Sequence, residues 1–418
     1  MPPAHRPPVA PAEAPVALAP VKHTGDLPWV QLRNAVYHPA IFRKMIGKTD
    51  PRAKNGDLVT VYDREGKVFG TGLLSTQAQY GLRMLTFDAS TADESLIGER
   101  IAGAVALRRE MLKLDETTNA YRVIHAEGDG LPGLIVDRFA DYAVIEIFNY
   151  PMWRRTEAIA VWLKKHLGVS TVFTRADERV QHAEGFIAAN AGPTRERTAD
   201  RKSTVITENG VKFQIDLTHG HKTGFFTDQR DNRRMLCDFT AGKTVLDLCS
   251  YSGGFGVYAA TLGKAEHVTC VDLDEDAIAL AKRNANINNV PRGKFDTAHS
   301  DVFPYMRQLI EQKKQFDVVV LDPPKLIANS EEFAEGRAKY FDLNKLALQV
   351  VKPGGIFVTC SCSGLLSPEE FFSVLRGACR APGRRVQTLK FTGPGADHPV
   401  MTDAPESSYL KCIFARVW

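Results

Sequence analysis

Two short segments carry side chains able to do covalent chemistry. Ser361-Cys362-Ser363-Gly364 sets a thiol between two hydroxyls at the end of the apolar run Phe357-Val-Thr-Cys-Ser361. Asp322-Pro-Pro-Lys325 sets a carboxylate at the end of Val319-Val-Leu-Asp322, where two prolines stiffen the exit. A thiolate is a strong nucleophile, and a carboxylic acid beside it can offset charge that develops on whatever carbon it attacks. Strand alternation puts Cys360 and Cys362 on one face, with Cys362 further out. Cys249, Cys270, Cys360 and Cys412 read as ordinary buried residues.

A third segment looks built for a ligand. Leu246-Asp-Leu-Cys-Ser-Tyr-Ser-Gly-Gly-Phe-Gly256 follows an apolar strand, and its glycines let backbone turn tightly and approach a ligand without Cβ interference. Alone, such a loop is as often a plain turn. The next strand ends at Val271-Asp272 and the one after at Ser300-Asp301, so acidic residues recur at strand tips. Asp272 can accept hydrogen bonds from ribose hydroxyls, and Asp274 or Glu275 can serve the lesser role of capping the following helix. The spacing does not fit the G-x-G-x-x-G of dinucleotide sites. Asp247-x-Cys-x-x-x-Gly-Gly-Phe255 instead resembles the first motif of S-adenosylmethionine methyltransferases, where the acidic residue and glycine loop lie against the amino acid moiety. That resemblance implies S-adenosylmethionine as cofactor, held by Asp247, Ser250, Gly253, Gly254, Asp272, Asp301 and Pro323.

A methyl sulfonium gives Cys362 a specific use. C5 of a pyrimidine is a poor nucleophile, and adding a thiolate to C6 makes it enamine-like, able to attack the methyl group. Asp322 would assist near N3. Enzymes that methylate amino groups usually follow Asp-Pro-Pro with an aromatic residue; Lys325 removes that stacking partner, which weakens an N-methylating reading. RNA cytosine enzymes with two cysteines carry one after these prolines, where this chain has Lys325, so the group that removes the C5 proton stays unassigned.

These segments need a scaffold. Short apolar strands at 244–249, 268–272, 316–321 and 356–360 alternate with helical stretches near 254–262, 276–288, 303–313 and 333–350, and strands near 386–391 and 409–417 follow. This is an α/β pattern, a doubly wound Rossmann-like parallel sheet spanning residues 203–418 and entered through a hairpin at Asn209-Gly210. Upstream, residues 101–202 read as a small α+β domain and 28–100 as a β-rich module with a hairpin over 57–74. An amphipathic helix is expected over 96–113, and 195–202 as a polar exit linker. Residues 1–27 read as disordered: the first twenty include seven Pro and six Ala.

Composition narrows the class. A chain of 418 residues is long for one core, and 53 Lys+Arg against 49 Asp+Glu makes the whole only weakly basic. Placement says more, because six Lys/Arg against two acidic residues lie between Gln31 and Thr60, an excess suited to phosphate contact. No apolar run is long enough for a membrane helix. All seven cysteines lie at or after Cys237 without metal-type spacing, so neither zinc nor disulfides are expected and the thiols read as reduced, cytoplasmic ones.

Over residues 28–418 the chain resembles the bacterial PUA-domain methyltransferases that make 5-methylcytosine in 23S ribosomal RNA, the RlmI-like family. The residues that carry the likeness are Asp129-Gly-Leu-Pro-Gly-Leu-Ile-Val-Asp137 with Tyr121-Arg-Val-Ile124, His221-Lys-Thr-Gly-Phe-Phe-Thr-Asp-Gln-Arg-Asp-Asn-Arg233, Asp322-Pro-Pro-Lys325, Ser361-Cys-Ser-Gly364 and Asp397-His-Pro399. The chain departs from the family in having Leu326 where Phe is usual. The resemblance implies that Cys362 is the nucleophile, Asp322 its acid partner, and Lys222, Thr223, Gln229 and Arg230 part of the cofactor entrance. It makes 28–100 a PUA RNA-binding module with the 101–202 domain extending that RNA-binding surface, implies ribosomal RNA as partner, and leaves room for a homodimer. Two other readings remain open: rRNA guanine or adenine N-methylation, and a non-catalytic RNA-binding assembly protein.

Overall fold

The computed structural model describes residues 17–89, 92–188, 203–217 and 224–418. They divide into two compact units, one built on residues up to Glu94 with Ala183–Gly185, the other on Ser95–His182 and Phe186–Trp418.

In the larger unit, seven strands form the sheet that the site needs: β1 (Thr244–Leu248), β2 (His267–Asp272), β3 (Phe295–His299), β4 (Phe316–Leu321), β5 (Val351–Ser361), β6 (Val386–Thr392) and β7 (Lys411–Val417). Their order is β3-β2-β1-β4-β5-β7-β6, with β7 antiparallel to both neighbours and the other pairs parallel. Val245, Val318, Val320, Val358 and Phe414 fill one face, and Leu246, Leu248, Val319, Leu321 and Phe357 the other. All ten are at most 1% exposed, as expected of a largely parallel sheet covered on both sides. Truncating Phe357 to Ala would cost about 3–5 kcal/mol. The helices are α1 (Gly254–Ala260), α2 (Glu275–Ile287), α3 (Val302–Glu311), α4 (Phe333–Gln349) and α5 (Pro368–Arg380). Between β1 and β4 the chain order reverses, which opens a crevice at the carboxyl ends of the strands.

Of the stretch expected as a separate domain over 101–202, the described residues 101–182 and 186–188 fall in this same unit. Its sheet runs Thr171–Arg175, Tyr142–Ile147, Leu134–Phe139, Ala120–His125. A shared apolar cluster, from Phe139 and Phe173 to Phe213 and Tyr258, and buried charge together explain the union. The Asp397 carboxylate accepts the Arg122 backbone N–H at 2.9 Å and both ends of the Arg230 guanidinium at 2.8 and 3.0 Å. Arg108, wholly buried, donates to the Asp397 carbonyl at 2.7 Å and pairs with Asp129. Such groups are stable out of water only while their partners stay in place. The helix expected over 96–113 is α-helical from Ser95 to Ala106 and continues as one wider π-turn, Leu107–Met111. At the domain entrance, Asn209 and Gly210 both have positive φ, 50° and 83°, as a two-residue hairpin turn between Ser203–Glu208 and Val211–Asp216 requires.

The smaller unit is a six-stranded sheet in the order Ala40–Phe42, Tyr80–Thr86, Val68–Leu74, Leu58–Tyr62, Trp29–Leu32, Ile46–Thr49. Disorder was expected through residue 27; residues 1–16 lie outside the described residues, but those that follow are tied down. Ala19 N–H donates to the Arg64 carbonyl at 3.1 Å, and its own carbonyl accepts from the Gln31 amide at 2.9 Å. The exit linker over 195–202 also lies outside the described residues.

Candidate active site

The loop after β1 is held by carboxylates. Cys249 and Tyr251 take left-handed φ of 58° and 47°, and Gly253 has 78°. Outside glycine that region costs about 1 kcal/mol or more per residue. The Tyr251 N–H is held by the Asp272 carboxylate at 2.7 Å, whose other oxygen accepts Asp274 N–H at 2.9 Å. Asp274, not Asp272, caps α2. Gly256 is required for close approach: a Cβ there would lie 2.3 Å from Cys270 Sγ. Its N–H donates to Asp247 at 2.8 Å. Burial pushes the Asp247 carboxyl up to about 7; the Gly256 hydrogen bond opposes this, and the charges of Asp322 and Asp272 add to it.

At the carboxyl ends of β1, β2, β4 and β5 lies a cavity of about 500 Å³. Of the expected cofactor residues, Gln229, Ser250, Gly254, Asp272, Asp301 and Pro323 line it. Asp301 also caps α3, accepting the Phe303 N–H at 2.7 Å. The apolar wall comes from Phe225, Phe226, Tyr251, Leu273 and Phe303. An apolar cleft of this size edged by a few carboxylates suits a nucleoside-bearing ligand. Among the described residues the buried Ser252 hydroxyl, on the cavity wall, has no hydrogen-bond partner, as a donor awaiting a ligand would. The residues present therefore fit S-adenosylmethionine.

Both expected reaction groups reach the same cavity. Asp322 accepts from Gln229 Nε2 at 3.0 Å, and Cys362 sits one residue past the end of β5. Ser363 braces the loop: its hydroxyl accepts the Ile327 N–H at 3.1 Å and meets the Tyr340 hydroxyl at 3.0 Å. Cys360 is wholly buried opposite Cys412, and burial pushes its thiol well above the ordinary range.

Other expected residues fall elsewhere. Arg230 does not line the cavity; it is 3% exposed and its guanidinium is engaged by Asp397. Asp247 and Gly253 also lie behind the lining, Asp247 orienting α1 through Gly256 and Gly253 making the turn. Lys222 and Thr223 lie outside the described residues. The apolar wall was missed, although Leu273 and Phe303 each follow an acidic strand tip by one or two positions. Among the described residues no cluster of His, Cys, Asp or Glu is arranged for a metal, and no helix is long and apolar enough to cross a membrane.

A family model described as S-adenosylmethionine-dependent methyltransferase matches residues 196–415, and one described as a PUA-like domain matches 36–87. The Ribosomal RNA large subunit methyltransferase I of Aliivibrio fischeri is 36% identical over 381 residues, covering 91% of this chain and 95% of its own. The chain belongs to that methyltransferase family. The Klebsiella pneumoniae protein of the same name is 34% identical over 380 residues, covering 91% and 94%. S-adenosylmethionine is the family cofactor, and the smaller unit is its PUA-like domain. Two solved structures share the fold. One, a chain assigned as a methyltransferase and complexed with SAH, superposes with TM-score 0.76 at 21% identity over 91% of this chain and 95% of that one. The other, a chain from Streptococcus mutans assigned as SAM-dependent methyltransferase, gives 0.76 at 20% identity over 93% and 100%.

Proposed function

We propose that this protein methylates C5 of a cytosine in large-subunit ribosomal RNA, with Cys362 as covalent nucleophile and Asp322 as its acid partner. The observation that carries this reading is that Cys362 and Asp322 line one cavity with the glycine loop and Asp272, while Cys360 is sealed in the core. Asp272 would hold the ribose of the cofactor, with Ser250, Gly254, Asp301, Pro323 and Gln229 around it. Bound there, S-adenosylmethionine supplies an electrophilic methyl group.

The chain supplies the rest. The Cys362 thiolate bonds to C6, the C5–C6 electron pair shifts onto the ring, and Asp322 gives a proton toward N3. C5 is then nucleophilic. After methylation, loss of the C5 proton to a base restores the double bond and expels Cys362 as thiolate, and Asp322 recovers its proton. Lys325, exposed at the cavity edge where N-methylating enzymes place an aromatic ring, argues against a flipped purine.

Relatives named for large-subunit ribosomal RNA direct the RNA choice. Arg33, Arg43, Lys44, Lys48, Arg52 and Lys54 of the PUA-like unit are all exposed and suit its phosphates. The reaction belongs in the cytoplasm. To test it, purified protein is incubated with labelled S-adenosylmethionine and unmodified large-subunit rRNA, and products are mapped by bisulfite sequencing and nucleoside mass spectrometry. A bisulfite-resistant cytosine is expected. A methylated purine, or no product, overturns the reading.

A further inference from the structure

Lys411 opens β7 directly opposite Ser361, one residue before Cys362. A lysine is out of place there, since its neighbours Cys412, Ile413 and Phe414 are core residues and Lys411 itself is 3% exposed. Its ammonium donates to the Ser363 carbonyl at 2.6 Å and to the Tyr409 carbonyl at 2.7 Å. No carboxylate pairs with it at ion-pair distance among the described residues. A buried cation held only by neutral carbonyls is costly unless an anion forms nearby. The Ser363 carbonyl that it grips belongs to the residue next to the Cys362 thiol.

We propose that Lys411 is a positioning residue for methyl transfer: it fixes the Cys362 loop through the Ser363 carbonyl and supplies the positive charge that keeps Cys362 a thiolate at neutral pH. The proposal rests on Cys362 being the nucleophile. Burial lowers the Lys411 amine to about 8, while the charges of Cys362 and then Glu370 act to raise it. That mutual effect is reciprocal, because a cation stabilised by a thiolate stabilises the thiolate equally. Other titratable groups share its cavity or touch its loop. The Tyr340 hydroxyl of α4 meets the Ser363 hydroxyl, and Asp322 and Lys325 after β4 and Asp228 and Arg233 before β1 line the cavity, Arg233 paired with Glu208 and Asp228 accepting from Tyr409. Glu370 of α5 faces Lys411. Lys411 is the cation that reaches the loop itself, through the Ser363 carbonyl.

The test is the pH dependence of Cys362 alkylation by iodoacetamide in the full-length protein, read at that residue by peptide mass spectrometry. For the wild type the midpoint is expected below that of a free thiol, about 8.5. Lys411→Met is expected to raise it by about one unit, slowing alkylation about tenfold at pH 7, while Lys411→Arg stays within about threefold of wild type. S-adenosylmethionine affinity serves as the check on folding. Should Lys411→Met lose that affinity, Lys411→Gln, which keeps a donor for the two carbonyls, is read in its place. An unchanged midpoint in the neutral variant overturns the proposal. So does a wild-type midpoint at or above about 8.5, which needs no variant. Failure of the cytosine reading shows separately, as a Cys362→Ala protein that still methylates RNA.

Discussion

The Ile327 amide donates to the Ser363 hydroxyl at 3.1 Å, tying the segment that leaves β4 to the one that leaves β5. Asp322 lies on the first segment and Cys362 on the second, so this bond sets the separation of acid and nucleophile. Ser363→Ala would strand the buried Ile327 N–H and take a partner from Tyr340. Its expected cost is about 1–3 kcal/mol of stability. Methyl transfer should fall about tenfold with S-adenosylmethionine affinity intact, since a loosened near-attack geometry acts on the chemical step. Equal losses in both quantities would refute the bracing role.

Arg230 and Asp397 predict a stability effect instead of a binding one. Asp397→Asn leaves the buried Arg230 guanidinium only the exposed Asp231 as counter-charge and should cost about 3–5 kcal/mol at pH 7, read as a lowered thermal midpoint. Burial alone would raise the Asp397 carboxyl, but the charges of His398 and Arg230 outweigh it and hold the group well below its ordinary range. A depressed carboxyl contributes stability that is fully present above its unfolded value, about 3.9, and is lost as pH falls through the folded one. The gap between wild type and Asp397→Asn should therefore persist from neutral pH down to about 4 and narrow only below it. A gap that closes between pH 7 and 5 would contradict this.

Asp272 and Asp274 are two residues apart and should separate cleanly by calorimetry. Asp272→Asn is expected to weaken S-adenosylmethionine binding about tenfold or more, since it removes a charged acceptor and loosens the Tyr251 turn. Asp274→Ala removes the α2 cap and should cost about 1 kcal/mol of stability with affinity nearly unchanged. A reversed ranking would show that Asp272 serves only the loop.

That contrast shows what was legible in the sequence. Strand ends are where a parallel sheet presents groups to ligands, so Asp272, Asp301, Asp322 and Cys362 could be located from the apolar runs before them. Adjacent residues of one motif were harder to tell apart. Gln229 and Arg230 stand side by side, yet one reaches Asp322 and the other Asp397, because successive residues entering a helix point about 100° apart. The distant partner, 167 positions away, leaves no local signal. The union of residues 95–182 with the methyltransferase sheet was hidden likewise, since it rests on an apolar cluster and on charges whose partners are far apart in the chain. Lys411 did leave a trace: it interrupts the apolar run Tyr409-Leu-Lys-Cys-Ile-Phe414.

The PUA-like unit should bind RNA with a salt dependence traceable to individual residues. Lys44→Ala and Lys48→Ala are each expected to reduce the slope of log affinity against log salt by about one. Arg52 is already engaged by Asp50 at 2.8 Å, so Arg52→Ala should reduce it less. Filter binding across a salt series measures this, and equal slopes in all variants would place the RNA contact elsewhere.

The most direct test of the central claim is trapping on large-subunit rRNA in which cytosine is replaced by 5-fluorocytosine. Fluorine cannot leave C5 as a proton does, so a cysteine bonded to C6 stays attached after methyl transfer. With S-adenosylmethionine present, a denaturant-stable RNA–protein adduct is expected, mapping to Cys362 by mass spectrometry and absent from Cys362→Ala. An adduct at Cys360, or none while unsubstituted RNA is still methylated, would contradict the account.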